Sequence, residues 1–190
     1  MFAYMSDTPS ADGWTVDDLD ALPDDGTRRE LIDGVLHVTP SPAPTHQVLA
    51  ARLMVALEES CPEHWHVSQS GDVVLSMQRL FVPDVLVTTD EAAERDGRFI
   101  AKEVVLAVEI VSPGSQSMDR VLKPALYAKA GIPFYWLIER KGGLTVHAHK
   151  LAAGDDAYQP VGIFTETIKL DEPWDVEIPL ARLRPRHLRS

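Results

Sequence analysis

The sequence predicts a single α/β domain, and three observations carry that expectation. Its 190 residues are 45% hydrophobic and 25% charged, the balance of an ordinary globular chain, which argues against disorder, collagen-like repeats and membrane proteins. Short runs rich in Val, Leu and Ile are separated by turn residues, as strands are. Between them lie two longer segments whose apolar residues recur at helical spacing. A chain of this size buries roughly 70% of its unfolded surface, so one core suffices without disulfides or structural metal.

Residues 1–13 read as a flexible leader, 14–183 as the single domain and 184–190 as a basic tail. Thr15 with Asp17, Asp18 and Leu19 reads as an N-capped short helix that Pro23 and Gly26 end. Asp33-Gly34 is a turn dipeptide, so Glu30-Leu31-Ile32 and Val35 to Val38 form a hairpin. Pro40, Pro42 and Pro44 then extend the chain. Thr45 is the expected cap of a first long helix, whose Leu49, Leu53, Ala56 and Leu57 share a face up to Cys61-Pro62.

Strands are predicted around His64 to Ser68, Asp72 to Ser76, Leu80 to Thr88 and Val104 to Val111. A second helix starts at Ser115 or Ser117 and stops at Gly131, with Pro133 beyond it. Phe134 to Ile138 pairs through Lys141-Gly142-Gly143 with Leu144 to His149. Tyr158 to Ile168 and Val176 to Leu180 read as edge strands.

One cysteine, Cys61, excludes an intrachain disulfide and reads as a packing residue; with no apolar leader segment, a cytoplasmic setting is expected. The net charge of −11 opposes tight, sequence-blind clamping of nucleic acid. Charge is uneven along the chain, with nine acids among the first 34 residues and Arg182, Arg184, Arg186 and Arg189 in the last nine. That end reads as a phosphate-seeking arm or, more simply, a solvated terminus.

Chemistry is expected where acids interrupt apolar strands. Val104 to Val111 is apolar on both faces, so Glu109 lies inside, and a buried carboxylate needs a cation, a proton or a metal. Asp84 is a second such acid. If the strand ending at Thr89 runs antiparallel to the one starting at Val104, Asp84 and Glu109 face one another about 5 Å apart on one side of the sheet. Two such carboxylates repel, raising one pKa unless a divalent cation neutralises both, and oxygen-only ligands suit Mg²⁺ or Mn²⁺.

These residues resemble the PD-(D/E)XK nuclease superfamily and, within it, the Uma2 family (DUF820) of restriction-endonuclease-like proteins. The resemblance runs from Arg29-Glu30-Leu31-Ile32-Asp33-Gly34 through Pro40-Ser41-Pro42 and His46-Gln47 to Val82-Pro83-Asp84-Val85. It continues with Glu109-Ile110-Val111-Ser112-Pro113, Asp119 with Lys123 and Tyr127, and Gly131 to Leu137. It implies a restriction-endonuclease-like fold, a central mixed β-sheet flanked by α-helices, that hydrolyses DNA phosphodiester bonds with Mg²⁺ or Mn²⁺. Asp84 and Glu109 match the metal-binding acids, and Glu30 a third. The superfamily lysine two beyond the second acid is Val111 here; the Uma2 pattern places a lysine on the following helix, and the resemblance implies that Lys123 takes the catalytic role. The resemblance also places His46, Gln47, Asp119 and Tyr127 near the substrate. A homodimer presenting two sites to two strands is the expected assembly.

Simpler readings stand beside these. Glu109 could be half of a structural salt bridge; Asp119 and Lys123 could be a solvated i, i+4 pair; His46 could lie on an exposed first turn; Tyr127, Tyr135 and Trp136 could be core. Pro124 disfavours helical geometry at Lys123. With Val111 it keeps open an inactive nuclease scaffold acting as a binding or regulatory module. A third reading, a zinc or iron enzyme, follows from His64-x-His66 and His147-x-His149, although surface strand histidines explain both. No phosphate-binding glycine loop, dinucleotide fingerprint, Gly-x-Ser-x-Gly elbow or Cys-x-x-Cys pair occurs.

Overall fold

Two mixed sheets share the chain, and one of the segments that cross between them carries one of the two acids. The computed structural model describes residues 13–23, 25–39 and 41–184; the leader up to residue 12 and the tail beyond 184 lie outside the described residues. A six-stranded sheet has the order β11-β10-β9-β8-β6-β3, built from β3 (Trp65–Gln69), β6 (Val85–Thr89), β8 (Val104–Ile110), β9 (Phe134–Glu139), β10 (Thr145–Leu151) and β11 (Tyr158–Phe164). A five-stranded sheet, β2-β1-β5-β4-β7, holds β1 (Arg28–Ile32), β2 (Val35–Thr39), β4 (Val73–Ser76), β5 (Arg79–Phe81) and β7 (Phe99–Ile100). The two-stranded ribbon of β12 (Thr167–Leu170) and β13 (Val176–Pro179) completes the strands.

Helices α1 (Val16–Asp20), α2 (Pro44–Glu58), α3 (Asp90–Ala93), α4 (Lys123–Lys129) and α5 (Leu180–Leu183) fill in around them. Thr15 caps α1 as its sequence predicts, in a reciprocal capping box with Asp18. The β1–β2 hairpin closes at Ile32–Val35 through Asp33 (φ 49) and Gly34 (φ 78), two left-handed residues that turn the chain without splaying the strands.

Helix α2 corrects one expectation. It starts at Pro44 with Ala43 at the cap and no side-chain cap bond, because proline lacks only an N–H that the first turn leaves unpaired anyway. Thr45 therefore sits inside the helix. Its buried face, Leu49, Ala50, Leu53, Ala56 and Leu57, packs with Leu106, Val108 and Ile110 of β8. The opposite face of the same strand turns Ala107 toward Leu126 and Tyr127 of α4, so the period-two alternation sends Glu109 to that second side.

The single strand expected over Leu80 to Thr88 is two strands in different sheets. Pro83 has no N–H to give a ladder, and Val82-Pro83-Asp84 hands the chain from β5 to β6. Beyond the break the register is the predicted one: Val85 opposes Val108, Leu86 opposes Ala107 and Val87 opposes Leu106. It slips at Thr88, which faces Val104. The expected strand over Tyr158 to Ile168 is likewise divided, into β11 at the sheet edge and β12 in the ribbon.

The second helix contains a widened turn. Met118–Leu122 is π-helical and runs straight into α4. Pro124 cannot donate to a carbonyl in the preceding turn, and the Lys123 N–H reaches back five residues to Met118. Gly131, at φ 83, ends the helix as expected. No described helix is long and apolar enough to cross a membrane.

Candidate active site

The carboxylates gather where β8 ends and β6 begins. Asp84 precedes β6: its N–H donates to the Val108 carbonyl at 3.0 Å, and its Oδ2 accepts from Ile110 N–H at 2.8 Å. A side-chain oxygen thus continues the ladder that Pro83 interrupts. Glu109, one residue before Ile110, is 1% exposed. Its Oε1 accepts from Lys123 Nζ at 2.9 Å and from the Tyr127 hydroxyl at 2.8 Å. Glu30 comes from the other sheet, where its Oε1 accepts from Lys123 Nζ at 2.9 Å and from Val82 N–H at 3.0 Å.

Lys123 is therefore a buried bridge between the two sheets, 3.8 Å from Asp119 and 5.5 Å from the Phe81 ring centroid. The widened turn delivers it inward despite Pro124. Asp119 is buried too and accepts from the Ser115 hydroxyl, so the pair is not a solvated one. His46 is 7% exposed rather than on an open turn. Its Nε2 lies 3.1 Å from the Ile110 carbonyl and 3.1 Å from Asp84 Oδ2; both are acceptors, so that nitrogen carries a hydrogen.

Two expected substrate contacts fall elsewhere. Gln47 is exposed and lines the adjoining groove, not the carboxylate cavity, since it follows His46 around the helix. Tyr127 is fully buried, its ring against Phe81 and Tyr135. It serves Glu109 and has no surface to offer a base.

Sequence reasoning missed two arginines. Arg28 lies two residues before Glu30 on the same strand face; it reaches Asp84 Oδ1 at 3.0 Å, Glu30 at 3.5 Å and the Val82 carbonyl. The alternation of β1 could have placed it beside Glu30. Arg140, just after β9, lines the same cavity, and nothing in its local sequence marks it.

Electrostatics follow from this crowding. Burial pushes the Glu109 carboxyl up to about 8, with Asp84, Asp119 and Glu30 adding to the effect and Lys123 opposing it. Burial also raises Asp119 against the pull of Lys123. Glu30 and Asp84 go the other way: although burial acts upward, Lys123 and Arg28 hold Glu30 below the usual carboxylate range, and His46 and Arg28 do so for Asp84. The Lys123 ammonium is held protonated, because Glu109 and Glu30 outweigh its own desolvation.

The cavity encloses about 300 Å³ and is lined by Arg28, Glu30, Asp84, Glu109, Asp119 and Lys123 among others. Among the described residues no three His, Cys, Asp or Glu side chains are grouped tightly enough to hold a metal ion as they stand. That applies equally to the His-x-His pairs, where His147 reaches Glu139 only at 3.9 Å. Cys61 packs against the core, its thiol pushed up to about 11 chiefly by burial.

The fold so described is mixed α/β, with mixed sheets and few helices. A crystal structure of a "putative nuclease belonging to DUF820 from Anabaena variabilis" matches it with a TM-score of 0.70 at 18% identity, over 89% of this chain and 96% of that one. The chain belongs to the Uma2 family, described as "Putative restriction endonuclease", which it matches over residues 16–181. No curated protein matches it.

Proposed function

We propose that the protein is a metal-dependent endonuclease that hydrolyses DNA phosphodiester bonds. One observation carries the reading: Asp84, Glu109, Glu30 and Lys123, far apart in sequence, meet in one buried cavity with Lys123 Nζ 2.9 Å from both glutamates. The donor set fits a hard divalent cation in chemistry and charge. Four carboxylates face Arg28 and Lys123; burial is the main cause of the upward push on Glu109, and the neighbouring acids add to it, a contribution that a cation would offset.

Asp84, Glu109 and Glu30 would hold Mg²⁺ or Mn²⁺. Once bound, the ion would polarise the scissile phosphate and lower the pKa of an attacking water. Lys123 supplies a fixed positive charge for the charge that develops on the phosphate. Tyr127 holds Glu109 in orientation, and His46 does the same for Asp84. Purified protein should nick plasmid DNA in Mg²⁺, and Asp84→Asn or Glu109→Gln should abolish nicking while circular dichroism stays unchanged. Unaltered nicking by either variant refutes the assignment.

A second reading, a scaffold that binds without cutting, is favoured by one contact. Arg28 bridges Asp84 and Glu30 and so already neutralises part of the cluster. Calorimetry separates the two: a nuclease takes up Mg²⁺ or Mn²⁺ in an Asp84-dependent manner, and the scaffold binds neither ion and leaves plasmid intact.

A further inference from the structure

The geometry points to Arg140 as the residue that receives the substrate phosphate at the mouth of the carboxylate cavity, with the Thr39 hydroxyl as its partner. This rests on the phosphodiesterase reading and names how that site binds. Three cationic side chains line the cavity: Arg28, Lys123 and Arg140. Arg28 and Lys123 are committed to Asp84, Glu30 and Glu109. Arg140 makes no ion pair with any described residue, although four carboxylates line the same cavity; its Nη2 donates to Thr45 Oγ1 at 2.9 Å.

That bond leaves most of a five-donor fork open, and such a fork matches the oxygens of a phosphate. The anchor fixes where the fork sits. Thr45 adjoins His46 in the first turn of α2, and His46 touches Asp84, so the guanidinium is tied to the same short stretch that positions the acid. Thr39 lines the cavity from β2, opposite Arg28 in the hairpin. Its Oγ1 is buried with no hydrogen-bond partner among the described residues. A buried hydroxyl left unpaired is costly, and a phosphate oxygen in the cavity would accept its hydrogen. The uncapped start of α2 adds positive potential at the same mouth.

Two measurements on the full chain test this: anisotropy of a short fluorescein-labelled DNA strand in EDTA, where nothing is cut, and plasmid nicking in Mg²⁺. Arg140→Ala should weaken the strand about tenfold or more, the loss of a charged hydrogen-bonding group, with Arg140→Lys restoring part of it. Nicking should fall through KM more than through kcat. Arg140 is exposed, so neither variant is expected to unfold. Equal affinity of the wild type and Arg140→Ala overturns the assignment, and nicking by that same wild type leaves the nuclease reading standing. Strand affinity lost in Arg140→Ala without nicking by the wild type keeps the phosphate contact and ends the hydrolytic reading. A wild type that neither binds nor nicks overturns both.

Discussion

Glu109 shows how much one residue can disclose. An acid inside an apolar strand contrasts with its neighbours, so it and Asp84 stand out of the sequence before any fold is known, and both prove buried. Its ordinary carboxyl value of 4.5 rises to about 8 in the folded chain, which sets a pH dependence with a definite sign. Below 4.5 folded and unfolded states are both protonated. Between 4.5 and 8 only the unfolded state gives up the proton, so this residue's contribution to stability declines as pH rises and levels off above 8. Glutamine stays neutral throughout. The unfolding midpoint of Glu109→Gln should therefore gain on the wild type from pH 4.5 to 8 and then run parallel, as thermal melts across that range would show. A constant difference would mean the carboxyl titrates normally. Arg140 was illegible for the opposite reason: an arginine among polar neighbours carries no contrast, and only the folded chain reveals that Arg28 is committed to carboxylates and Arg140 is not.

At the scale of elements, periodicity was readable and interruption was not. The α2 face of Leu49, Leu53, Ala56 and Leu57 was legible from spacing, and all four are buried. Leu53→Ala should cost about 2–5 kcal/mol through lost burial and the cavity left behind, measured by urea denaturation; a cost under about 1 kcal/mol would place this face outside the core. The run from Leu80 to Thr88 looked like one strand because every side chain but Pro83 and Asp84 suits a buried sheet. Pro83 is the reason it is two. Likewise Pro124 predicted trouble in the second helix without saying where it would go; the helix absorbs it as the widened Met118–Leu122 turn, and Lys123 still faces Glu109. Local chemistry announces that a ladder must break, while the fold decides which neighbour each piece then joins.

Across the whole molecule, charge and site pull in opposite directions. A chain of net −11 repels a polyanion everywhere except where cations are exposed, and the site's own cations are mostly neutralised. Binding of a DNA strand should then release few counterions. A salt titration should give a slope of log affinity on log salt of about −0.7 to −1.4, one or two phosphates' worth. A slope several times steeper would require a basic track beyond this site. Arg182, inside the expected domain, pairs with Glu59, and Arg52 donates to the carbonyl of Arg184, where the expected tail starts.

One ammonium group fastens the two sheets of this protein to each other. Glu30 rides on the smaller sheet and Glu109 on the larger, so Lys123 acts as a polar rivet between halves that Val82-Pro83-Asp84 joins beside the site. Withdrawing the rivet should loosen the halves unequally. In Lys123→Met, backbone amides of β1 should exchange with deuterium faster than in the wild type while those of β9, shielded on both faces, keep their protection. Chemistry and mechanical cohesion would then reside in the same three side chains, and any ligand drawn to these carboxylates would have to work against the seam that keeps the molecule shut.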